Sequence, residues 1–392
     1  MKKLINEASE NYRDFKHPNI NSKKLTYTEF APQLEKLKAL NFLTVKQIGV
    51  SIERRPIHSI RFGKGPKKII LWTQMHGNEA TATRALFDFF SLLQSSGFSE
   101  LRNQLSNKIE LIAIPMLNPD GAERYQRRTA LDIDPNRDAV RQQTPEIQTL
   151  FSIIEAEKPD WCFNMHDQRN LFNVSGENTP ATISFLSPST NDKTHFTTNQ
   201  KEAMQLIDCL TSDFAKKASV GIARFTHEFY PTATGDNIQK MGFRTVLVES
   251  GGFRGDSNRN VSREVCFNAI VNACYLIASD SWNKGAVDNY LKIPENDTKL
   301  FDVLVKNVML NNSKRTLVDI GVEYSETLNS SGQVVVTSII KDLGDLSHYF
   351  GYQEIDAKGG QLTTTISLGL EANFEIEFEN KPTILVRNGC MK

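Results

Sequence analysis

An α/β architecture is what this sequence predicts: a mixed, mostly parallel sheet flanked by helices, followed by a smaller C-terminal β-sandwich. Three observations carry the expectation. Short, almost continuous apolar runs alternate with helix-spaced segments up to about residue 284, the pattern of strands buried on both faces between helices. From residue 294 onward helical spacing gives way to apolar–polar alternation broken by turn signals. At 392 residues the chain is also long enough for two domains. We therefore expect a large α/β domain over residues 1–284 and an accessory β-sandwich over 285–392.

The elements follow in order. Residues 1–28 are polar and read as a loosely packed lead-in. Residues 29–40 place Phe30, Leu34, Leu37 and Leu40 at helical spacing. Two strands, 43–52 and 56–62, turn at Glu53-Arg54-Arg55 and close at Gly63-Lys64-Gly65-Pro66. A repeated strand–loop–helix pattern then starts with strand 68–73 and helix 80–93. Strand 109–116 is followed by the later helix 144–157. Strand 161–165 precedes a long irregular stretch and helix 201–217, and strand 245–248 precedes helix 262–278. In the tail, Gln333-Val334-Val335-Val336-Thr337 and Asn373-Phe374-Glu375-Ile376-Glu377-Phe378 alternate in the β manner. Turns are expected at Asn311-Asn312, Ser330-Ser331-Gly332 and Lys358-Gly359-Gly360.

Composition removes several classes of function. Hydrophobic residues make up 39% and charged ones 23%, too apolar for a disordered chain. Forty-six basic residues balance forty-six acidic ones with no long basic run, which argues against a nucleic-acid partner. No apolar run approaches the ~18 residues of a membrane span. Behind Met1-Lys2-Lys3 the chain lacks the ~7–15-residue apolar core of a signal peptide. Five scattered cysteines, none in a C-x-x-C pair, read as reduced thiols, so a cytoplasmic setting is expected.

Chemistry gathers in loops that leave the carboxyl ends of the expected strands, where open α/β sheets place their ligands. Gln74-Met75-His76-Gly77-Asn78-Glu79 sets an imidazole and a carboxylate three apart on a turn, a donor set that suits Zn²⁺. It also reads as a helix entry with an acidic first turn. Asn118-Pro119-Asp120-Gly121 is by itself a turn. Arg127-Arg128-Thr129 and Asp134-Pro135-Asn136-Arg137-Asp138 combine guanidinium and amide groups. Such a pair can receive a carboxylate or can form a salt-bridged loop. His166 ends an apolar strand and is a candidate ligand or a core histidine. Glu249 ends another, where a carboxylate is costly to bury unless it has a task.

In order, these segments resemble the zinc carboxypeptidase family, metallopeptidases of the pancreatic carboxypeptidase type, over about residues 68–252. The resemblance implies a zinc carboxypeptidase-like fold and one Zn²⁺ per chain, held by His76, Glu79 and His166. It implies Glu249 as general base and Arg127 as the oxyanion's stabiliser, with Arg128 in reserve. Asn136 and Arg137 would hold the substrate's terminal carboxylate, Asp134 would orient His76, and Tyr230 would close over the substrate. The activity implied is that of a metallocarboxypeptidase, in which a zinc-activated water hydrolyses the C-terminal peptide bond. Aspartoacylase-like and succinylglutamate desuccinylase-like enzymes share the H-G-N-E stretch, a later His, an N-R pair and a final Glu. Hydrolysis of N-acyl amino acids is therefore the alternative, and in either case the substrate carries a free carboxylate. Asn118-Pro119-Asp120-Gly121 and Tyr230 lean toward the peptidase, Gly251-Gly252 toward the deacylase. A non-catalytic binding protein would have lost a ligand or the base, and all four residues are present. Asp167-Gln168 after His166 and Ser250-Gly251-Gly252 after Glu249 depart from the digestive enzymes. His227 reads as an outlying loop residue. Asp236 sits either at the floor of a side-chain pocket or as the cap of the turn after Gly235.

Overall fold

The structure is a computed structural model and describes residues 1–191, 195–214, 220–310, 316–378, 381–388 and 390–391. Two compact units emerge, residues 1–168 with 181–296 and residues 169–180 with 297–392. The strands run β1 (Leu43–Val50), β2 (Pro56–Gly63), β3 (Lys67–Trp72), β4 (Ile109–Ile114), β5 (Trp161–Asp167), β6 (Asn173–Val174, in the second unit), β7 (Ala181–Leu186), β8 (Gly221–Arg224) and β9 (Arg244–Ser250). The helices run α1 (Lys2–Glu10), α2 (Tyr27–Leu37), α3 (Thr81–Gln94), α4 (Ser99–Ser106), α5 (Pro119–Glu123), α6 (Pro145–Glu157), α7 (Thr198–Phe214), α8 (Thr234–Lys240) and α9 (Asn260–Ala278).

One sheet of order β1-β2-β4-β3-β5-β9-β7-β8 organises the first unit. Its centre, β4-β3-β5-β9, is parallel, while β2 and β7 join it antiparallel, so the expected mixed, mostly parallel sheet is present. Alternation along β3 decides the layers. Ile69 and Leu71 enter the core that holds Phe87, Phe90 and Phe267 of α3 and α9, whereas Ile70 and Trp72 enter the core of Leu150, Ile154 and Ile238 from α6 and α8. Because the central strands are parallel, their carboxyl ends share one edge, and the polar loops open there.

The lead-in corrects an expectation. Residues 1–28 are packed, with Ile5, Ala8, Tyr12, Phe15, Ile20 and Leu25 buried. The first four of these stand at helical intervals within a polar stretch, an apolar stripe that composition alone conceals. Thr26 and Glu29 then form a reciprocal capping box that starts α2. The stretch after β5, expected to be irregular, contains β7, a strand whose alternating Ile183 and Phe185 enter the core. Helix α7 starts at Thr198, earlier than expected, and residues 215–217 of that expectation lie outside the described residues. Cys162, Cys266 and Cys274 are buried thiols.

The second unit is β-rich, as expected. Among the described residues, eight of its strands share one hydrogen-bonded network around Val303, Val305, Ile320, Val322, Phe374 and Ile376, while β6 pairs separately with Asn296–Asp297. The turn at Ser330-Ser331-Gly332 joins strands Leu317–Leu328 and Val334–Gly344, with Gly332 at φ 73° as such a turn requires. The Asn311-Asn312 turn lies outside the described residues. Among the described residues no helix is long and apolar enough to cross a membrane.

Candidate active site

Two loops are welded before they can present anything. The chain leaving β3 passes Thr73 and Gln74, whose carbonyls accept the N–H groups of Leu117 and Asn118 from the chain leaving β4. Gly77 and Gly121 meet backbone to backbone, and a Cβ on Gly77 would lie 1.9 Å from the Gly121 carbonyl carbon. Glycine is required there by contact. Asn118 caps Gly121 at 2.9 Å and donates to the Arg128 carbonyl at 3.2 Å, which ties down the loop that carries Arg127. Asp120 accepts from Ser51, Arg55 and the Glu53 N–H. The Asn118-Pro119-Asp120-Gly121 motif is thus a joint between loops.

Three predicted ligands meet on this frame. His76 Nδ1 lies 2.8 Å from Glu79 Oε1, His166 Nδ1 lies 2.9 Å from Glu79 Oε2, and the two Nδ1 atoms are 3.1 Å apart. All three side chains are buried, and one donor atom from each falls within 4.8 Å of the others. Two imidazoles and one carboxylate converging from separate elements form a set open to a further ligand, which suits Zn²⁺. His76 Nε2 faces Asp134 Oδ1 at 3.1 Å, so Asp134 fixes the ring as carboxylates do behind metal-bound histidines. Asp134 is itself held by the Asn136 N–H at 2.9 Å.

Of the surrounding residues, Arg127 and Asn136 contact this cluster through Asp134. Arg127 donates to Glu79 at 3.2 Å and to Asp134 at 3.1 Å, leaving further N–H donors of its fork available. Arg128 turns back to its own loop, onto the Asp132 carbonyl. Asn136 accepts the Thr234 N–H at 3.0 Å. The Arg137 guanidinium stacks over the Tyr230 ring at 4.0 Å, and Tyr230 is half exposed. Glu249 is the in-register neighbour of His166 on β9, so both side chains leave one face of the sheet a strand spacing apart. Asp236 is buried in the first turn of α8 and accepts the Tyr230 N–H at 3.2 Å, so it holds the turn that precedes Gly235 and not one after it. His227 packs away from the ligands, with Nε2 at 2.9 Å from the buried Tyr290 hydroxyl.

Electrostatics divide the carboxylates into two kinds. Burial opposes the charge on Glu79, but His76 and His166 outweigh it and hold Glu79 well below the usual carboxylate range. Asp134 is likewise lowered, with burial outweighed by His76 and Arg127. Burial pushes the His76 imidazole down, yet Glu79 and Asp134 leave it above its ordinary value. His166 is lowered by burial. Glu249 moves the other way. Burial raises it well above the usual range, the charges of Glu79 and Asp167 add to this, and Arg127 and Arg259 only partly offset it. Its Oε2 is sealed and unpartnered among the described residues.

Sequence reasoning passed over three residues. Asn164, two before His166 on β5, is fully buried with neither amide atom hydrogen-bonded among the described residues. A lone Asn in an apolar strand was the available signal. Asp167 and Arg259 also lie behind the site, and an arginine between two others in a polar loop gave no signal of its own.

A family model described as zinc carboxypeptidase matches residues 33–240. Carboxypeptidase 2 of Trichophyton tonsurans is 28% identical over 148 residues, 36% of this chain and 25% of that protein. Carboxypeptidase 2 of Trichophyton rubrum is 33% identical over 106 residues, 26% of this chain and 19% of that protein. The matched part thus spans no more than about a quarter of those relatives' length. Among solved structures, a metallo-carboxypeptidase from Burkholderia cenocepacia aligns with a TM-score of 0.53 at 17% identity, covering 66% of this chain and 70% of that one. A metallo-carboxypeptidase from Pseudomonas aeruginosa, in complex with (2-guanidinoethylmercapto)succinic acid, aligns at 0.50 and 16% identity, covering 68% and 70%. These likenesses show a shared fold, and the family match together with the order of elements is decisive: the chain belongs to the zinc carboxypeptidase family.

Proposed function

We propose that the protein is a zinc metallocarboxypeptidase that removes the C-terminal residue of peptides. The convergence of His76, Glu79 and His166 beside Glu249 carries the reading. Zn²⁺ held by these three residues would supply a Lewis acid that polarises a carbonyl and brings a water's pKa toward neutrality. With the metal bound, Glu249 would accept the proton of the attacking water and pass it to the leaving amine. Arg127 turns an N–H to the developing oxyanion, a contact of a kind whose loss typically costs ~2.7–4 kcal/mol. Asn136 and Arg137 hold the terminal carboxylate, and Tyr230, now stacked on Arg137, shields the pair from water. The Pseudomonas neighbour's ligand, a succinic acid, also bears free carboxylates.

Two N-blocked dipeptides test the reading, one with a free C-terminus and one amidated. Cleavage of the free acid alone, dependent on one equivalent of Zn²⁺, is the expected outcome. Release from acetyl- or succinyl-amino acids, with both dipeptides left intact, would transfer the site to the deacylase class.

A further inference from the structure

His166 and Glu249 stand side by side where β5 and β9 end. Beyond them lie the pair Asp167 and Ser250 and the bond from the Gln168 N–H to the Ser250 carbonyl at 2.9 Å, where the ladder ends. Spacing at that point sets the distance between a metal ligand and the base. Arg259 occupies the gap. One arm of its guanidinium donates to the Ser250 carbonyl at 2.9 Å and the other to the Gln168 carbonyl at 2.7 Å. Five donors in a rigid plane can hold two carbonyls at one separation, which a flexible ammonium cannot.

Asp167 extends the grip. Its carboxylate lies 3.9 Å from Arg259 and accepts the N–H and hydroxyl of Thr81, the first residue of α3, at 3.2 and 2.7 Å. Its own N–H donates to Glu79 at 3.1 Å. The start of α3 and the ends of β5 and β9 are therefore joined through one pair of opposite charges. The backbone at Arg259 is left-handed, φ 53° and ψ 38°, a conformation a side-chain-bearing residue adopts only when its surroundings impose it. That conformation aims the side chain from the mouth of α9 across both strands.

We propose that Arg259 is a positioning residue, a guanidinium clasp that fixes the separation of His166 and Glu249. The inference rests on the ligand and base roles given to those two residues. Arg259→Gly is the suitable variant, since glycine keeps the left-handed backbone and removes only the guanidinium. In the metal-free full-length chain, amide hydrogen exchange of Gln168 and Gly251 should quicken about tenfold or more while β3 stays unchanged. With zinc loaded, kcat on a blocked peptide should fall about 10²-fold with KM nearly constant, as expected for a displaced reacting group. Low millimolar guanidinium should restore part of both. Unchanged exchange at both strand ends, or wild-type kcat in the variant, overturns the clasp. Arg259→Lys is read by the same criteria if the glycine variant does not fold. A wild-type chain that hydrolyses no peptide would count against the proposed function, and the exchange measurement would still decide the clasp.

Discussion

Single residues divide by what their chemistry demands. A metal needs particular donor atoms, so His76, Glu79 and His166 were legible from residue type and order, and the structure brings them together. Substituting any of the three by Ala should abolish zinc binding and activity together. Glu249→Gln should separate the two. It keeps the shape and the metal while removing the base, so zinc stays at one per chain and kcat falls ~10²–10⁴-fold. A Gln variant retaining a tenth of wild-type kcat would refute the assignment. His227→Ala should keep its zinc, because His227 is committed to Tyr290. Asn164 left a faint signal as a lone amide in an apolar strand, whereas Asp167 and Arg259 were not legible for a common reason. Their importance lies in what they face across the fold, and neither spacing nor residue type encodes that.

Whole elements were easier to read where periodicity was strong. Strands β3, β4, β5 and β9 are apolar on both faces and were found nearly at their true bounds, while β7 was hidden by its buried Thr182 and Ser184. The lead-in was misjudged because its apolar stripe is thin, yet it reaches toward the site. Asn258, next to Arg259, binds the Lys23 N–H at 2.7 Å and the Asn21 carbonyl at 2.5 Å, and its own carbonyl accepts from buried Arg84. Asn258→Ala should therefore quicken exchange at Gln168 and Gly251 as Arg259→Gly does, but less. An effect confined to residues 16–25 would break that link. Helix α6 offers a pH test. Glu146 in its first turn is fully buried, accepts the Ile52 N–H with one oxygen and leaves the other unpartnered among the described residues. Burial, with Asp120 and Asp138 adding, pushes its pKa up to about 7. Between its ordinary value and 7 the folded chain keeps a proton that the unfolded chain releases, so this group's contribution to stability falls as pH rises through that window. The loss is complete above 7 and amounts to up to about 3 kcal/mol. Glu146→Gln should gain on wild type at pH 8 and not at pH 5 in urea unfolding. An equal difference at both pH values would dismiss the effect.

At the scale of the molecule, texture along the chain announced a change from α/β to β, but texture cannot show which segment packs with which. The sequence suggests a catalytic domain of residues 1–284 and an accessory β domain of 285–392; we keep a two-domain division as a proposal and place its boundary near 296, because the first unit runs that far. Two truncations test where it falls. Tyr290, in the short helix Val287–Leu291, is fully buried in the first unit and joins the Ser187 N–H and His227 through its hydroxyl. A chain ending at 284 loses that ring, and emptying a large aromatic site typically costs ~3–5 kcal/mol. A chain ending at 296 keeps it. Both lose the partners of residues 169–180, since Leu171 and Asn173 accept the N–H groups of Leu300 and Lys299 within the second unit. The 1–296 chain should therefore bind zinc and unfold at clearly higher denaturant than the 1–284 chain, with limited proteolysis of both cutting between 169 and 180. Equal midpoints for the two truncations would mean that Tyr290 contributes nothing to the first unit and that the boundary at 284 stands. A 1–296 chain that resists cleavage between 169 and 180 would mean that the segment holds its shape without the strands that follow.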